Sequence, residues 1–173
     1  MNKFRVFATL IVVAFFTSCD RDDLTTEEGV EINGVRWATR NVDASGTFTR
    51  SPEHMGRHFT WQEAQNACPR GWRLPTGAEL NALSLVRNIW IESEREGNAG
   101  RLFGVAPYQI FLPAAGFRIG SEVRDISTGG GYWSTQSIDE YDAWSMEFSR
   151  AFGSSMSRSW SRASGLSVRC VAE

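Results

Sequence analysis

Three cysteines, Cys19, Cys68 and Cys170, constrain this 173-residue chain more than any other residues. Cys19 follows Lys3 and Arg5, an apolar run over residues 6–16, and the small pair Thr17-Ser18. A basic start, a short apolar stretch and small residues in that order are the pattern of an export signal. The run is shorter than the roughly 20 residues a membrane-spanning helix needs, so it does not read as an anchor helix. Export places Cys68 and Cys170 in an oxidising compartment, where a single disulfide is the expected pairing. Such a bond closes a loop of about 100 residues, worth roughly 4–5 kcal/mol in lost chain entropy. It would tie the first predicted helix to the last predicted strand. Two isolated thiols with no nearby histidine make a poor zinc site.

The residues Phe16-Thr17-Ser18-Cys19 resemble the lipobox of bacterial lipoproteins. That resemblance implies a lipoprotein signal peptide over residues 1–18, with the Cys19 thiol carrying lipid at the mature amino terminus. The alternative is an ordinary secreted protein with a chance cysteine. Residues 19–29 are acidic, lack aromatics and read as a flexible tether. Their acidic cluster is similar to the surface-export signals of Bacteroidetes lipoproteins. The expected location is the outer membrane, reached by export, with the protein lipid-anchored and surface-exposed; a periplasm-facing anchor is the other orientation.

Removing the signal also removes Lys3 and Arg5, leaving 16 cations against 20 acidic residues, a mature charge of −4. That balance speaks against nucleic acid as a partner, which would call for a basic face. Every remaining lysine or arginine position is arginine. Its planar fork stacks on aromatic rings, and the chain has seven tryptophans.

The domain is expected over residues 30–173. Asn33-Gly34 is a two-residue hairpin turn joining residues 30–32 to 35–39. Residues 43–58 are polar and irregular and read as loop. Thr60-Trp61-Gln62-Glu63 is a capping box that opens a helix running to about Cys68, where Pro69 stops it. Thr76-Gly77-Ala78-Glu79 opens a second helix whose core face is Leu80, Leu83 and Val86, fading near Trp90. Residues 92–101 read as surface loop. Apolar or alternating segments at 110–117, 132–136, 143–148 and 165–171 read as antiparallel strands. Gly129-Gly130-Gly131 reads as a flexible approach to one of them. The expected class is therefore α+β.

Two blocks resemble a known family. They are Phe59-Thr60-Trp61-Gln62-Glu63-Ala64 and Ala67-Cys68-Pro69-Arg70-Gly71-Trp72-Arg73-Leu74-Pro75-Thr76. Both look like the core signature of the Fibrobacter succinogenes major paralogous domain. Three later segments agree in order: Leu112-Pro113-Ala114-Ala115-Gly116-Phe117-Arg118, Gly131-Tyr132-Trp133-Ser134-Thr135, and Gly165-Leu166-Ser167-Val168-Arg169-Cys170-Val171. The resemblance implies a C-type-lectin-like domain, with two helices packed on a twisted antiparallel sheet carrying long loops. It also implies an exported lipoprotein with a disulfide from first helix to terminal strand. It implies no particular chemistry.

Arg73-Leu74-Pro75-Thr76 is also similar to a signature of formylglycine-generating enzymes. Those need a reactive cysteine pair in the C-terminal part, where this chain has Cys170 alone. His54 and His58 stand four apart, but Pro52 and Gly56 oppose a helix there, and a solvated loop is the simpler reading of them than a metal pair. No Gly-x-Ser-x-Gly elbow is present, and the triple glycine lacks the Lys-Ser/Thr of a phosphate loop. The chain reads as a non-enzyme with no catalytic residues and no cofactor.

A binding role is the better expectation, with a glycan or protein as ligand and loops 119–130, 137–142 and 150–164 as the face. Trp160, between Arg158 and Arg162 in a serine-rich stretch, has the composition of a recognition loop, and Tyr141, at a loop end, is a further candidate for the binding face. The other reading folds Trp160 back onto the sheet. The calcium-binding triplets of C-type lectins are missing. Asp139, Glu140 and Asp142 nonetheless offer oxygen ligands of the kind calcium takes; an acidic solvated turn is the simpler account. A structural or accessory subunit of an envelope assembly is the competing function. Replacing Cys19 by serine should abolish fatty-acid labelling and release the protein from membranes; retained label would refute the anchor.

Overall fold

The computed structural model describes residues 29–92 and 99–173. The opening hairpin forms as expected: β1 (Val30–Ile32) pairs with β2 (Val35–Trp37) around Asn33 and Gly34, both at positive φ. A second hairpin follows, β3 (Val42–Ala44) and β4 (Thr47–Phe48), which apart from Val42 lies in residues 43–58, the stretch expected to be loop. Val42 and Phe48 are fully buried, and the polar average over residues 43–58 conceals the second of these anchors.

Helix α1 (Trp61–Ala64) and helix α2 (Gly77–Leu85) both begin at the capping boxes, with strand β5 (Trp72–Arg73) between them. In the second box the Thr76 amide donates to Glu79 Oε2 at 2.7 Å and the Glu79 amide donates back to Thr76 Oγ1 at 3.2 Å. Arg73 adds a bidentate pair to the same carboxylate, at 2.9 and 2.7 Å. The Arg-Leu-Pro-Thr motif thus has a structural use in this chain: its arginine and threonine fix the start of α2.

The remaining strands are β6 (Asn88–Ile91), β7 (Gly100–Val105), β8 (Tyr108–Pro113), β9 (Phe117–Ile119), β10 (Glu122–Arg124), β11 (Gly129–Ser137), β12 (Asp142–Ser149), β13 (Ser154–Ser161) and β14 (Val171–Ala172). Among the described residues they form five small sheets. One has four strands in the order β1-β2-β14-β5, two have three (β6-β7-β8 and β11-β12-β13), and two are hairpins. Every named pairing is antiparallel.

This overturns the α+β expectation of two helices packed on one twisted antiparallel sheet. Helix α1 has only 4 residues and α2 has 9, so strands dominate the chain and are split among several sheets. A capping box marks where a helix begins and carries no information about its length. Gln65 already closes α1, so Cys68 lies in the turn beyond the helix. Residues 88–91, expected as the fading end of α2, are strand β6.

The segment 165–171 is also not the continuous strand expected. Its residues bridge singly to different neighbours: Gly165 to Arg118, Leu166 to Phe59 and Ser167 to Tyr132. It threads the middle of the domain, and each residue meets a different element. The triple glycine is likewise not a flexible approach. All three residues are buried at the start of β11, where a Cβ on Gly131 would lie 2.8 Å from Phe117 and one on Gly130 3.1 Å from Phe148. Only hydrogen fits.

The disulfide between Cys68 and Cys170 is present, with Cα atoms 6.0 Å apart. It borders one buried cluster built on Phe59, Trp133, Leu166 and Val168. A second cluster, around Trp37, Leu80, Leu83, Phe103, Tyr132, Met146 and Phe148, lies where α2 packs on β11, β12 and β13.

The Arg73 hydrogen bonds hold the Glu79 carboxyl at about 2, below its ordinary 4.5. The folded state therefore binds this proton more weakly than the unfolded chain does. The stabilisation is complete above about pH 4.5 and is lost as pH falls toward 2. Chemical denaturation across that window should show a flatter stability profile for Glu79→Gln than for the parent; identical slopes would refute the assignment.

Candidate binding cleft

A cleft of about 910 Å³ opens between the turn after β12 and the loop before β11. Phe117 and Phe148 form its floor, Phe152 one lip, and Asp125, Thr128 and Glu147 add polar atoms. Phe152 is 78% exposed at the mouth of the cleft.

The turn that presents Phe152 is rigid for identifiable reasons. The Phe152 amide donates to Ser149 Oγ at 2.9 Å, and the Ser149 amide donates to the Phe152 carbonyl at 3.2 Å. Beneath them Arg101, 8% exposed, donates from Nη2 to the Ser149 and Phe152 carbonyls at 2.9 and 3.1 Å. Its Nη1 donates to Asn88 Oδ1 at 2.6 Å, and its guanidinium lies 5.9 Å from the Trp90 ring centre. Burial lowers the Arg101 pKa, yet the group keeps its charge at any physiological pH. Arg150 pairs with Glu92 at 2.7 Å, and its amide donates to the Thr128 carbonyl at 2.8 Å, so the two lips are joined.

The opposite lip is equally fixed. The Asp125 carbonyl accepts from the amides of Thr128 and Gly129 at 3.1 and 2.9 Å. Asp125 and Ser127 both sit at positive φ, 59° and 61°, which non-glycine residues hold only when their surroundings impose it.

Trp160 stands behind this cleft. It lies in β13 opposite Ala143, stacks on Phe117 with ring centres 4.7 Å apart, and donates its indole N–H to Glu147 Oε1. The stretch around it is therefore strand over residues 154–161, a correction to its reading as loop. Alternation was hidden because serine occupies so many of the positions. Of the two readings weighed for Trp160, the one that folds it back on the sheet matches its place; it acts on the cleft through Phe117 and Glu147.

Arg162 and Tyr141 meet elsewhere. Arg162 lies 4.1 Å over the Trp61 ring and donates to the carbonyls of Asp139 and Glu140 at 3.2 and 3.3 Å. Its amide donates to the Tyr141 carbonyl at 2.7 Å, and the Tyr141 side chain is 70% exposed. This knot ties the β11–β12 turn to α1. The Asp139 carboxylate accepts from the amides of Tyr141 and Asp142, both at 2.8 Å, and these bonds hold its pKa below the usual carboxylate value. It serves its own turn. Among the described residues no three acidic, His or Cys side chains are grouped to hold a metal, so Asp139, Glu140 and Asp142 do not form a calcium cage.

His58 Nε2 is 3.0 Å from the Ala115 carbonyl, and burial lowers its pKa. Its place is partly buried, in contrast to the solvated loop expected, while His54 is exposed. Cys19, the signal peptide and residues 20–28 of the tether lie outside the described residues, as does the side chain of Arg158.

Compared with known protein families, curated proteins and solved structures, the chain finds no match. The residues that build the cleft, Arg101, Phe117, Glu147 and Phe152, went unremarked as site residues in the sequence. The one available signal was Phe152 itself, a lone aromatic between Arg150 and Gly153 in an otherwise polar turn. Trp160→Phe preserves the stack on Phe117 and removes the donor to Glu147. It should cost about 1 kcal/mol in urea denaturation; an unchanged midpoint would show that the indole N–H is not needed.

Proposed function

We propose that this chain is a non-catalytic binding module that recognises a glycan through the cleft lined by Phe117, Glu147 and Phe152. The observation that carries the reading is the exposed Phe152 ring, held on a clamped turn at a recess that Asp125 and Glu147 also line and that is large enough for a sugar unit. An aromatic face takes the C–H side of a pyranose, and carboxylates accept its hydroxyl hydrogens. A preformed site of this kind loses little ordering entropy on binding.

We further propose that the mature chain is anchored by lipid at Cys19 on the outer membrane, facing outward, where glycans are encountered. The ordered motifs between Phe59 and Val171 support membership of the Fibrobacter succinogenes paralogous-domain family. That membership brings no ligand with it.

A second reading, an accessory subunit of an envelope assembly, is favoured by one feature. Strand β6 is the outer strand of its sheet, and Leu85, Ile89 and Ile91 on and beside it are 77%, 48% and 36% exposed. Glycan-array screening of the mature protein separates the two. The glycan reading expects a defined set of bound structures, with affinity falling about ten-fold in Phe152→Ala, equivalent to about 1.4 kcal/mol. No glycan bound, with a fixed set of envelope proteins co-purifying, would favour the subunit.

A further inference from the structure

The sheet β6-β7-β8 has two unlike faces. Side chains alternate along a strand, so Asn88 and Trp90 of β6 point to one face and Ile89 and Ile91 to the other. Arg101 and Phe103, opposite Trp90 and Asn88, share the first face. There Arg101 grips the Phe152 turn, and Trp90 packs edge-on against Phe148. The second face carries an apolar row across all three strands. Ile89 stands opposite Leu102, and Leu102 opposite Phe111. The Phe111 ring extends along this face over Gly100, where a Cβ would lie 2.6 Å from it.

The row continues around the end of the sheet. Two recesses, of about 210 and 310 Å³, share Arg87, Gly104 and Val105 as walls. Ile89 and Leu102 line the first, Tyr108 and Asn33 the second. Leu85 directly precedes Val86, another wall of the second, and Glu31 lies at its far side. Val105, Tyr108 and Leu85 are 59%, 62% and 77% exposed. Aliphatic, tyrosine and arginine side chains side by side suit a membrane interface. The aliphatic groups enter the acyl boundary, while the phenol and the guanidinium stay with the headgroups.

The route by which the chain enters the domain supports a bilayer as the occupant. Strand β1 starts directly after Gly29 and ends at the turn whose Asn33 lines the second recess. Ten residues separate Gly29 from Cys19, a reach of at most about 35 Å for fully extended chain. A domain of this length is roughly as wide. A lipid at Cys19 therefore keeps the domain against the bilayer. So short a link makes docking effectively intramolecular, and a modest apolar face is enough to hold one orientation.

We propose that this face and the turns at its end, with Leu85, Ile89, Leu102, Val105, Tyr108 and Arg87, rest on the membrane interface to which Cys19 tethers the domain. The inference depends on the lipid anchor proposed above. Its consequence is orientation: the opposite face of the same sheet, with Arg101 and Trp90, turns the Phe152 cleft away from the lipid and toward the medium. Lipid, in place of a protein partner, then covers Leu85 and Ile89.

The test uses the mature, acylated protein in vesicles of phosphatidylethanolamine and phosphatidylglycerol, doped with a phosphatidylcholine that carries a diazirine near its ester carbonyl. Illumination and peptide mass spectrometry should place most lipid adducts within residues 85–91 and 102–111. Combining Leu85→Asp, Ile89→Asp and Tyr108→Asp, all at exposed positions, should lower that yield about five-fold or more while the protein stays on the vesicles. Near-ultraviolet circular dichroism checks the fold of this variant, and the adduct map of the parent decides by itself should the variant misfold. Adducts spread evenly over the surface, adducts centred on the Phe152 turn, or an unchanged yield in a folded triple variant would overturn the docking face and leave the anchor standing. An intact mass showing no acyl group on Cys19 would overturn the anchor and this inference together.

Discussion

The guanidinium of Arg169 is fully buried, and its donors leave it in three directions. Nε donates to Asn41 Oδ1, Nη1 to the Ala38 carbonyl and Nη2 to the Phe111 carbonyl, each at 2.9 Å. Asn41 passes the network on through Nδ2 to the Met55 carbonyl at 2.8 Å and to the Tyr132 hydroxyl at 3.2 Å. Tyr132 in turn donates to the Pro113 carbonyl at 2.9 Å. Burial pushes the Tyr132 phenol up to about 12, so it remains a donor at any physiological pH. Five segments distant in sequence are thereby held to one cation. A charge taken this far from water is tolerated only while its hydrogen bonds are made, so the segments are held to one mutual arrangement.

The covalent and polar constraints converge on the same stretch. Cys170 follows Arg169 directly and bonds Cys68, while the Cys170 and Val168 carbonyls accept from the amides of Ala38 and Val42 at 3.0 and 3.1 Å. The C-terminal segment is thus the spine on which the N-terminal hairpins, the turn after α1 and β11 are assembled. The Phe152 cleft inherits its rigidity at one remove. Its floor residue Phe117 begins the strand that bridges through Arg118 to Gly165, and Phe148 stacks on Tyr132 with ring centres 6.0 Å apart.

Local signals in the sequence were sound where one short stretch contains the whole interaction. Asn33-Gly34 turned the first hairpin, both capping boxes opened helices, and the two cysteines left after Cys19 paired. Signals that needed length or a distant partner failed. The capping boxes left the ends of α1 and α2 undetermined, and serine masked the alternation of β13. Gly129-Gly130-Gly131 looked loose because the rings of Phe117 and Phe148 that crowd it come from other strands. The site shows the same division: Trp160 stood out by composition, but its partners Phe117 and Glu147 lie far along the chain. Arg101 has nothing in its neighbourhood to mark it as the clamp under Phe152.

By itself the sequence determined the turns, the helix starts, the pool of cysteines and the aromatic-rich composition, because each depends on residues a few positions apart. The tertiary structure alone decided that strands dominate in several small sheets and that Arg169 organises the interior. It also decided that Trp160 supports a recess and does not line it. Those outcomes depend on which distant backbone carbonyls and rings meet a given side chain. Such meetings are settled by the simultaneous burial of many segments, which no window of sequence contains.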